Sequence, residues 1–294
     1  MSILLLGAQG QVGQALVKTL TPLRSTGSVV AMGRQQLDLS DLAAITAKIQ
    51  ALRPRLVVNA AAYTAVDKAE SEPDLAYRIN AKAPAVIAES AAECGAALIH
   101  ISTDYVFSGQ MGSPRCETDA ADPLSVYGKT KLAGEEAIRQ AIAEHVILRT
   151  AWVYGAHGKS NFLKTMLRLG NAQSEVSVVA DQVGSPTWAS DLAAVIAQLS
   201  KTVTAKPGTY HYTNSGVASW YDFAIAIFQE AKALGIPLKV QKVNPITTAD
   251  YPTPARRPAY SVLNCQKVAR MLGHSAPHWR HSLRAMLTDY TKHL

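Results

Sequence analysis

Short apolar runs recur along the first half of the chain, each followed by a longer amphipathic stretch. "SILLLG" leads to "QVGQALVKTL", "SVVAMG" to "LAAITAKIQAL", and "RLVVNAA" to "AYRINAKAPAVIAESAAEC", with "AALIHIS" after that. The runs have strand length and the stretches between them have helix length. Strands that alternate with helices at this spacing pair in parallel, because each helix carries the chain back across a face of the sheet. A further helix is expected from near Tyr127 to about Glu144, then "HVILRTAWVYG" as one more strand, at least five such strands in all. Beyond Gly155 the pattern changes to loops rich in Pro, Gly, Ser and Thr, such as "ADQVGSPTWAS" and "NPITTADYPTPARRPAYS", interleaved with helices such as "WYDFAIAIFQEAKAL". The expectation is an α/β first domain over residues 1–155, with some later segments returning to it. Residues 156–294 then form mainly a smaller lobe that packs on it and makes a cleft.

Composition limits what such a chain can do. With 48% hydrophobic residues in 294 it can bury a sizeable core. Its longest apolar runs fall well short of the roughly 20 residues that a membrane helix needs. The start, "MSILLLGAQGQVG", has no basic segment ahead of its apolar one, so a secretory signal is not expected. Cys94, Cys116 and Cys265 are far apart, odd in number and outside any zinc-like cluster, which suits a reducing, cytoplasmic setting. The histidines are scattered and read as surface or core residues. A net charge of +7 raises the question of nucleic acid, yet the basic residues are dispersed and no recognition module is present. Arg256 and Arg257 in "PTPARRPAY" suit a phosphate-bearing ligand better than a duplex.

"LLLGAQGQVGQAL" sets Gly7, Gly10 and Gly13 between the first strand and the first helix, with Gln11 and Val12 opening that helix. Glycine permits a tight turn and close backbone approach, and a helix N-terminus offers unpaired N–H groups to a pyrophosphate. A plain strand-to-helix turn needs one glycine, not three at this spacing. A dinucleotide site is therefore expected at the first βαβ unit, and with it a Rossmann-type doubly wound sheet. At the end of the second strand, Gly33-Arg34 stands where an acidic residue would hold the adenosine ribose hydroxyls. Arginine there pairs with a 2'-phosphate, which predicts NADPH over NADH.

In "VYGKTKLAGEEA" Tyr127 and Lys131 stand four apart, on one face of the expected helix. A free phenol has a pKa of about 10, and a neighbouring cation favours its phenolate. One such pair arises easily by chance among 11 tyrosines, so its weight comes from its company. That company is "LIHISTDYVFSG", which ends the fourth strand with Ser102, Thr103, Asp104 and Tyr105 at the carboxyl edge, where open α/β sheets bind ligands.

The glycine spacing, with Thr103, Tyr127 and Lys131 in this order, resembles the extended short-chain dehydrogenase/reductase family. "NAAAYTAVDKAESEP", "ISTDYVF", "VYGKTKLAGEEA", "RTAWVYG", "NFLKTMLRL", "DQVGSPT" and "YPTPARRP", spread from Asn59 to Pro258, resemble its dTDP-4-dehydrorhamnose reductase branch. The resemblance implies a cofactor domain with a smaller C-terminal substrate-binding domain. It also implies NADPH-dependent reduction of the C4 ketone of dTDP-4-dehydro-L-rhamnose to dTDP-L-rhamnose, for cell-surface polysaccharide. Tyr127 would protonate the developing alkoxide, Lys131 lower its pKa and hold the ribose, and Thr103 orient the carbonyl. Asp38 and Leu39 would lie beside the adenine, and Ala60, Ala61 and Ala62 along the cofactor. Asp104, Tyr105 and Trp152 would line the sugar site, with Asn161, Gln182 and Arg257 toward the diphosphate. Some relatives dimerise through magnesium held by glutamates, one of them in the first helix. Gln14 and Ala15 supply no carboxylate there, which speaks against a metal-bridged dimer and leaves monomer or homodimer open. Two other readings share these features: an epimerase or dehydratase of the same family, and a non-catalytic NADP-binding regulatory subunit. Dehydratases commonly carry Asp-Glu where this chain has Asp104-Tyr105.

Overall fold

The computed structural model describes residues 2–21, 28–158 and 160–291. From the N-terminus the elements are β1 (Ile3–Leu6), α1 (Gln11–Leu20), β2 (Val29–Met32), α2 (Leu42–Leu52) and β3 (Leu56–Asn59). Three helical pieces follow, α3 (Val66–Ala69), α4 (Pro73–Tyr77) and α5 (Ala83–Glu93), then β4 (Ala97–Thr103), α6 (Val126–Ala141) and β5 (His145–Thr150). The remainder comprises β6 (Val153–Tyr154), α7 (Phe162–Ala172), β7 (Glu175–Val179), β8 (Val183–Gly184), β9 (Thr187–Trp188), α8 (Ala189–Leu199) and β10 (Gly208–His211). It ends with β11 (Ala218–Ser219), α9 (Trp220–Ala233), β12 (Lys242–Ile246), α10 (Gln266–Leu272) and α11 (Trp279–Thr291).

Six strands make the main sheet, in the order β10-β5-β4-β3-β1-β2, all parallel. The chain steps from β1 outward to β2 and then back across β1 to β3, so the order reverses beside β1. Both faces are covered, which explains the unbroken apolar runs. Ile3 and Leu5 pack with Leu16 and Leu20 of α1 and Leu192 and Ile196 of α8 on one face. Leu4 and Leu6 pack with Ile45, Ile49, Ile87 and Ile138 of α2, α5 and α6 on the other. The strand periodicity of two therefore feeds two cores at once. A third core lies outside the sheet, where Leu163, Met166, Phe223, Ile227, Trp279 and Leu283 from α7, α9 and α11 pack together.

Three expectations change in detail. The stretch read as one helix through "AYRINAKAPAVIAESAAEC" contains a π-turn, Arg78–Lys82, between α4 and α5. α6 presses on that turn so closely that a Cβ on Gly134 would stand 2.1 Å from the Asn80 carbonyl oxygen. Apolar periodicity does not register one extra residue in a turn. α6 itself ends at Ala141, before Glu144. "HVILRTAWVYG" is two strands rather than one, because Trp152 takes the left-handed conformation, φ 48°, and turns the chain out of the main sheet.

Among the described residues no helix is long and apolar enough to cross a membrane. His274 and His278 stand four apart, but in the loop ahead of α11. Among the described residues no group of three or more His, Cys, Asp or Glu could hold a metal ion.

Phe223 is fully buried and touches the rings of Tyr154, Phe162, Trp220 and Trp279. Phe223→Ala is expected to destabilise the chain by about 3–5 kcal/mol, read from the midpoint of urea unfolding.

Candidate active site

The glycine turn lies where the strand order reverses. Gly7 has φ 81°, and a Cβ on it would stand 2.7 Å from the Ala61 nitrogen and 2.8 Å from the Ala60 carbonyl, so the loops after β1 and β3 touch. A Cβ on Gly13 would meet the Gly7 carbonyl oxygen at 2.0 Å. Gly7 and Ala8 donate N–H bonds to the Met32 carbonyl at the end of β2. The head of α1 is bare: Gly10 caps it with no side-chain bond, and its first turn has no acidic residue. Unpaired N–H groups with a partial positive charge and no competing carboxylate fit a pyrophosphate. Arg34 is exposed and pairs with Asp38 at 3.0 Å, and Asp38 also accepts from the Ser40 N–H. The Ser40 N–H, with Arg34, holds the Asp38 carboxyl below its usual range. An exposed pair of this kind is weak, so Arg34 can exchange partners at little cost.

At the other end of the site, β4 delivers Thr103, whose hydroxyl donates to Asp104 Oδ1 at 3.1 Å and accepts from the Tyr105 N–H at 3.2 Å. Ser125 caps α6 by accepting from the Gly128 N–H, and Glu70 accepts from the Val126 N–H at 2.8 Å. These two bonds fix the turn that carries Tyr127. A Cβ on Gly128 would stand 2.3 Å from the Tyr105 carbonyl oxygen, so only glycine lets this turn dock so closely. The Tyr127 phenol consequently lies near the Thr103 hydroxyl and meets the Tyr105 ring edge-on, centroids 5.5 Å apart. Ser102 shares a strand face with His100, whereas Thr103 faces the other way and reaches Tyr127, which separates two hydroxyls that the sequence left equivalent.

Lys131 departs from the expected role in this structure. Its Nζ lies 2.7 Å from the Ile101 carbonyl oxygen and 3.0 Å from His100 Nε2. Tyr127 is not lowered: burial, with the Asp104 charge, pushes its phenol up to about 12 against the Thr103 hydrogen bond. The lysine is turned to the strand backbone, so the phenol gains no cation from it. Burial pushes Lys131 down to about 8, with Glu135 pulling the other way.

The residues expected around the substrate fall into two groups. Tyr105 lies beside Tyr127, and the charges of Arg257, Asp67 and Asp104 act on its phenol, which burial raises. Arg257 is tied to Asp67 by two bonds, 3.0 and 2.7 Å, and its Nη1 also donates to Thr253 and the Ala255 carbonyl. Trp152 stacks on Trp220 with centroids 3.4 Å apart, over Gly184, where a Cβ would meet its ring at 2.6 Å. Asn161 has local work: it caps α7 through the Lys164 N–H and donates to Gln11 Oε1 at 2.7 Å and the Gly155 carbonyl. Gln182 is buried and donates to Thr248. Neither amide is visibly free for a ligand in this arrangement.

Several residues of this region escaped the sequence reading. Asn80 exchanges two bonds with the Tyr63 backbone and donates to Thr130 on α6. Asn59 accepts from the Ala61 N–H and bonds His100, and Ser261 lies near the Asp104 carboxyl. Asp67 sits inside "NAAAYTAVDKAESEP", so a search for the counter-ion of Arg257 could have found it. Nothing in their spacing marks Asn80, His100 or Ser261.

A doubly wound parallel sheet, a glycine turn at its switch point and Thr103, Tyr127 and Lys131 at the ends of β4 and α6 together define a short-chain dehydrogenase/reductase of the extended type. The family model described as the RmlD substrate binding domain matches residues 1–292. The chain is 46% identical to a dTDP-4-dehydrorhamnose reductase of Escherichia coli K12, over 98% of each chain. Its fold is similar to that of a dTDP-4-dehydrorhamnose reductase from Clostridium acetobutylicum, with TM-score 0.92, 39% identity, and 99% and 100% of the two chains covered. It is also similar to the Bacillus anthracis dTDP-4-dehydrorhamnose reductase solved with NADP, with TM-score 0.91, 37% identity, and 98% and 99% covered. The chain belongs to the dTDP-4-dehydrorhamnose reductase family.

Burial pushes Asp104 up to about 6, with the nearby Ser261 and Thr103 hydroxyls pulling the other way. An acid raised in the folded state resists ionisation that the unfolded chain undergoes, so its contribution to stability falls as pH rises from about 4 to about 6. Asp104→Asn is expected to remove that loss. Relative to wild type, the variant should gain up to about 3 kcal/mol across this window, measured by urea unfolding at each pH.

Proposed function

We propose that this chain catalyses NADPH-dependent reduction of the C4 ketone of dTDP-4-dehydro-β-L-rhamnose to dTDP-L-rhamnose, the last step in making that nucleotide sugar, in the cytoplasm. The observation that carries the reading is the Tyr127 phenol set beside Thr103, on one side of a bare, glycine-turned helix head. The relatives' shared activity supports it. The B. anthracis relative's NADP supports the cofactor. Bound there, the reduced nicotinamide supplies the hydride. Gly7, Gly10, Gln11, Val12 and Gly13 hold the pyrophosphate on α1, Arg34 meets the 2'-phosphate, and Asp38, Leu39 and Ala60 to Ala62 flank the rest.

The raised phenol of Tyr127 suits the direction of the reaction. A reductase needs a proton on its acid at neutral pH, and a phenol pushed up to about 12 keeps one. Thr103 orients the carbonyl, Tyr127 gives its proton to the oxygen as negative charge develops there, and Lys131 steadies the resulting phenolate once it turns toward the ribose. Asp104, Tyr105 and Trp152 line the sugar. Arg257, already placed near Tyr105 by Asp67, supplies the cation that the diphosphate needs. Asn161 and Gln182 reach that end only if their present bonds open. Without a carboxylate on the first turn of α1, monomer or metal-free homodimer fits better than a magnesium bridge.

The substrate, generated in situ by the two preceding pathway enzymes, tests this by loss of NADPH absorbance. Tyr127→Phe is expected to lower kcat by about 10²–10⁴-fold, and full turnover in that variant would overturn the assignment. Arg34→Ala should lower kcat/KM at least about tenfold with NADPH and leave NADH nearly unchanged, since one charged contact to the 2'-phosphate is worth about that much. Comparable kcat/KM for the two cofactors in wild type would refute the predicted preference.

A further inference from the structure

Behind the Thr103–Tyr127 pair, a chain of buried groups can be followed proton by proton. Lys131 Nζ is 3.0 Å from His100 Nε2, and His100 Nδ1 is 3.1 Å from Asn59 Nδ2. Asn59 Oδ1 accepts from the Ala61 N–H at 3.1 Å. All three side chains are 1% exposed, so water does not complete their bonds. The Ala61 N–H is a donor, so oxygen must be the Asn59 atom that faces it. The Asn59 amide nitrogen therefore faces His100 as a donor, and Nδ1 must accept. A neutral imidazole carries one proton, which then sits on Nε2 and points at Lys131. That N–H needs a lone pair, and an ammonium has none. The chain closes only when Lys131 is an amine that accepts from His100 and donates to the Ile101 carbonyl, 2.7 Å away.

Other charges near Lys131 do not supply an alternative partner. Glu135, one turn on along α6, is bound at 2.8 and 2.6 Å by Arg149 of β5 and at 2.5 Å by Arg139. Glu70, just past α3, accepts from the Val126 N–H, and Asp104 accepts from the Thr103 hydroxyl. Tyr127 keeps its proton. Burial holds His100 well below the ordinary imidazole range, and a charge on Lys131 would only push it lower, so a doubly protonated ring does not arise in either state of the lysine.

We propose that Asn59 and His100 hold Lys131 as an uncharged amine in the cofactor-free protein, and that binding a dinucleotide draws one proton from solvent onto it. The inference rests on the cofactor reading above. A bound dinucleotide brings ribose hydroxyl oxygens and phosphate charge, the acceptors and counter-charge that an ammonium lacks here. Lys131 then leaves His100, takes the proton on its freed lone pair and becomes the cation that Tyr127 requires. Asn59 and His100 are positioning residues that act through Lys131. Because burial pushes Lys131 down to about 8, the uptake is read best above that pH.

Calorimetric titration of NADP⁺ into the full chain at about pH 8.5, in two buffers of different ionisation enthalpy, counts the protons exchanged. Wild type is expected to take up between about half a proton and one proton per NADP⁺ bound. Asn59→Asp presents oxygen to both the Ala61 N–H and His100, turning the imidazole to its Nδ1–H form with a lone pair toward Lys131. This variant should already hold an ammonium, and its uptake should fall below about 0.2 proton. Lys131→Met should show none. Binding without uptake in wild type, wild-type uptake in Asn59→Asp, or uptake that persists in Lys131→Met would each overturn the proposal. No binding of NADP⁺ by wild type would instead overturn the cofactor reading on which it rests.

Discussion

Helix α6 buries two ionisable side chains one turn apart, Lys131 and Glu135, and the first part of the fold is arranged to receive them. Glu135 is wholly buried and gripped by Arg149, which reaches His211 on β10, while His211 takes the Glu117 carboxylate on its N–H and meets the Arg115 carbonyl through Nδ1. Arg149 and Arg139 keep the Glu135 carboxyl below its usual range despite burial, so it is charged throughout the working pH range. Removing one partner of such a pair strands the other and costs about 3–5 kcal/mol, more than most single contacts in a chain this size supply. The same helix carries Tyr127 and Lys131, so the pair that anchors α6 also sets where the phenol stands.

The segments after Gly155 do more than add a lobe. β10 extends the main sheet beyond β5 and α8 covers α1, so the chain returns to the first core after leaving it at Trp152. The stretch ending in "PARRPAYS" comes back along the site: the Val183 N–H donates to the Ala259 carbonyl and the Val183 carbonyl accepts from the Ser261 N–H, Ser261 lies near Asp104, and Arg257 grips Asp67. Gln11 and Asn161 join across the same boundary. Polar bonds rather than a continuous apolar interface link the glycine turn, the tyrosine and the arginine, which leaves each partner able to exchange when an anion arrives.

What could be read from the chain follows from periodicity and from local chemistry. The unbroken apolar strands, the glycine spacing and the four-residue step from Tyr127 to Lys131 are all short-range signals, and in the structure Thr103 lies near Tyr127. The π-turn at Arg78–Lys82 was hidden because one extra residue leaves apolar periodicity nearly intact. Asn161 and Gln182 were given to a ligand because an amide in a glycine-rich loop looks the same whether it caps a helix, holds a threonine or meets a diphosphate.

The sequence by itself determined the parallel sheet, the glycine turn, the four-residue step from Tyr127 to Lys131 and the family, because each depends on residues a few positions apart whose geometry the backbone imposes. Only the tertiary structure decided the partners of the ionisable side chains: Arg257 with Asp67, Glu135 with Arg149, and Lys131 with His100 and the Ile101 carbonyl. A hydrogen bond depends on a few tenths of an ångström and on which atoms are buried with it, and residues 190 positions apart carry no mark of that in one chain.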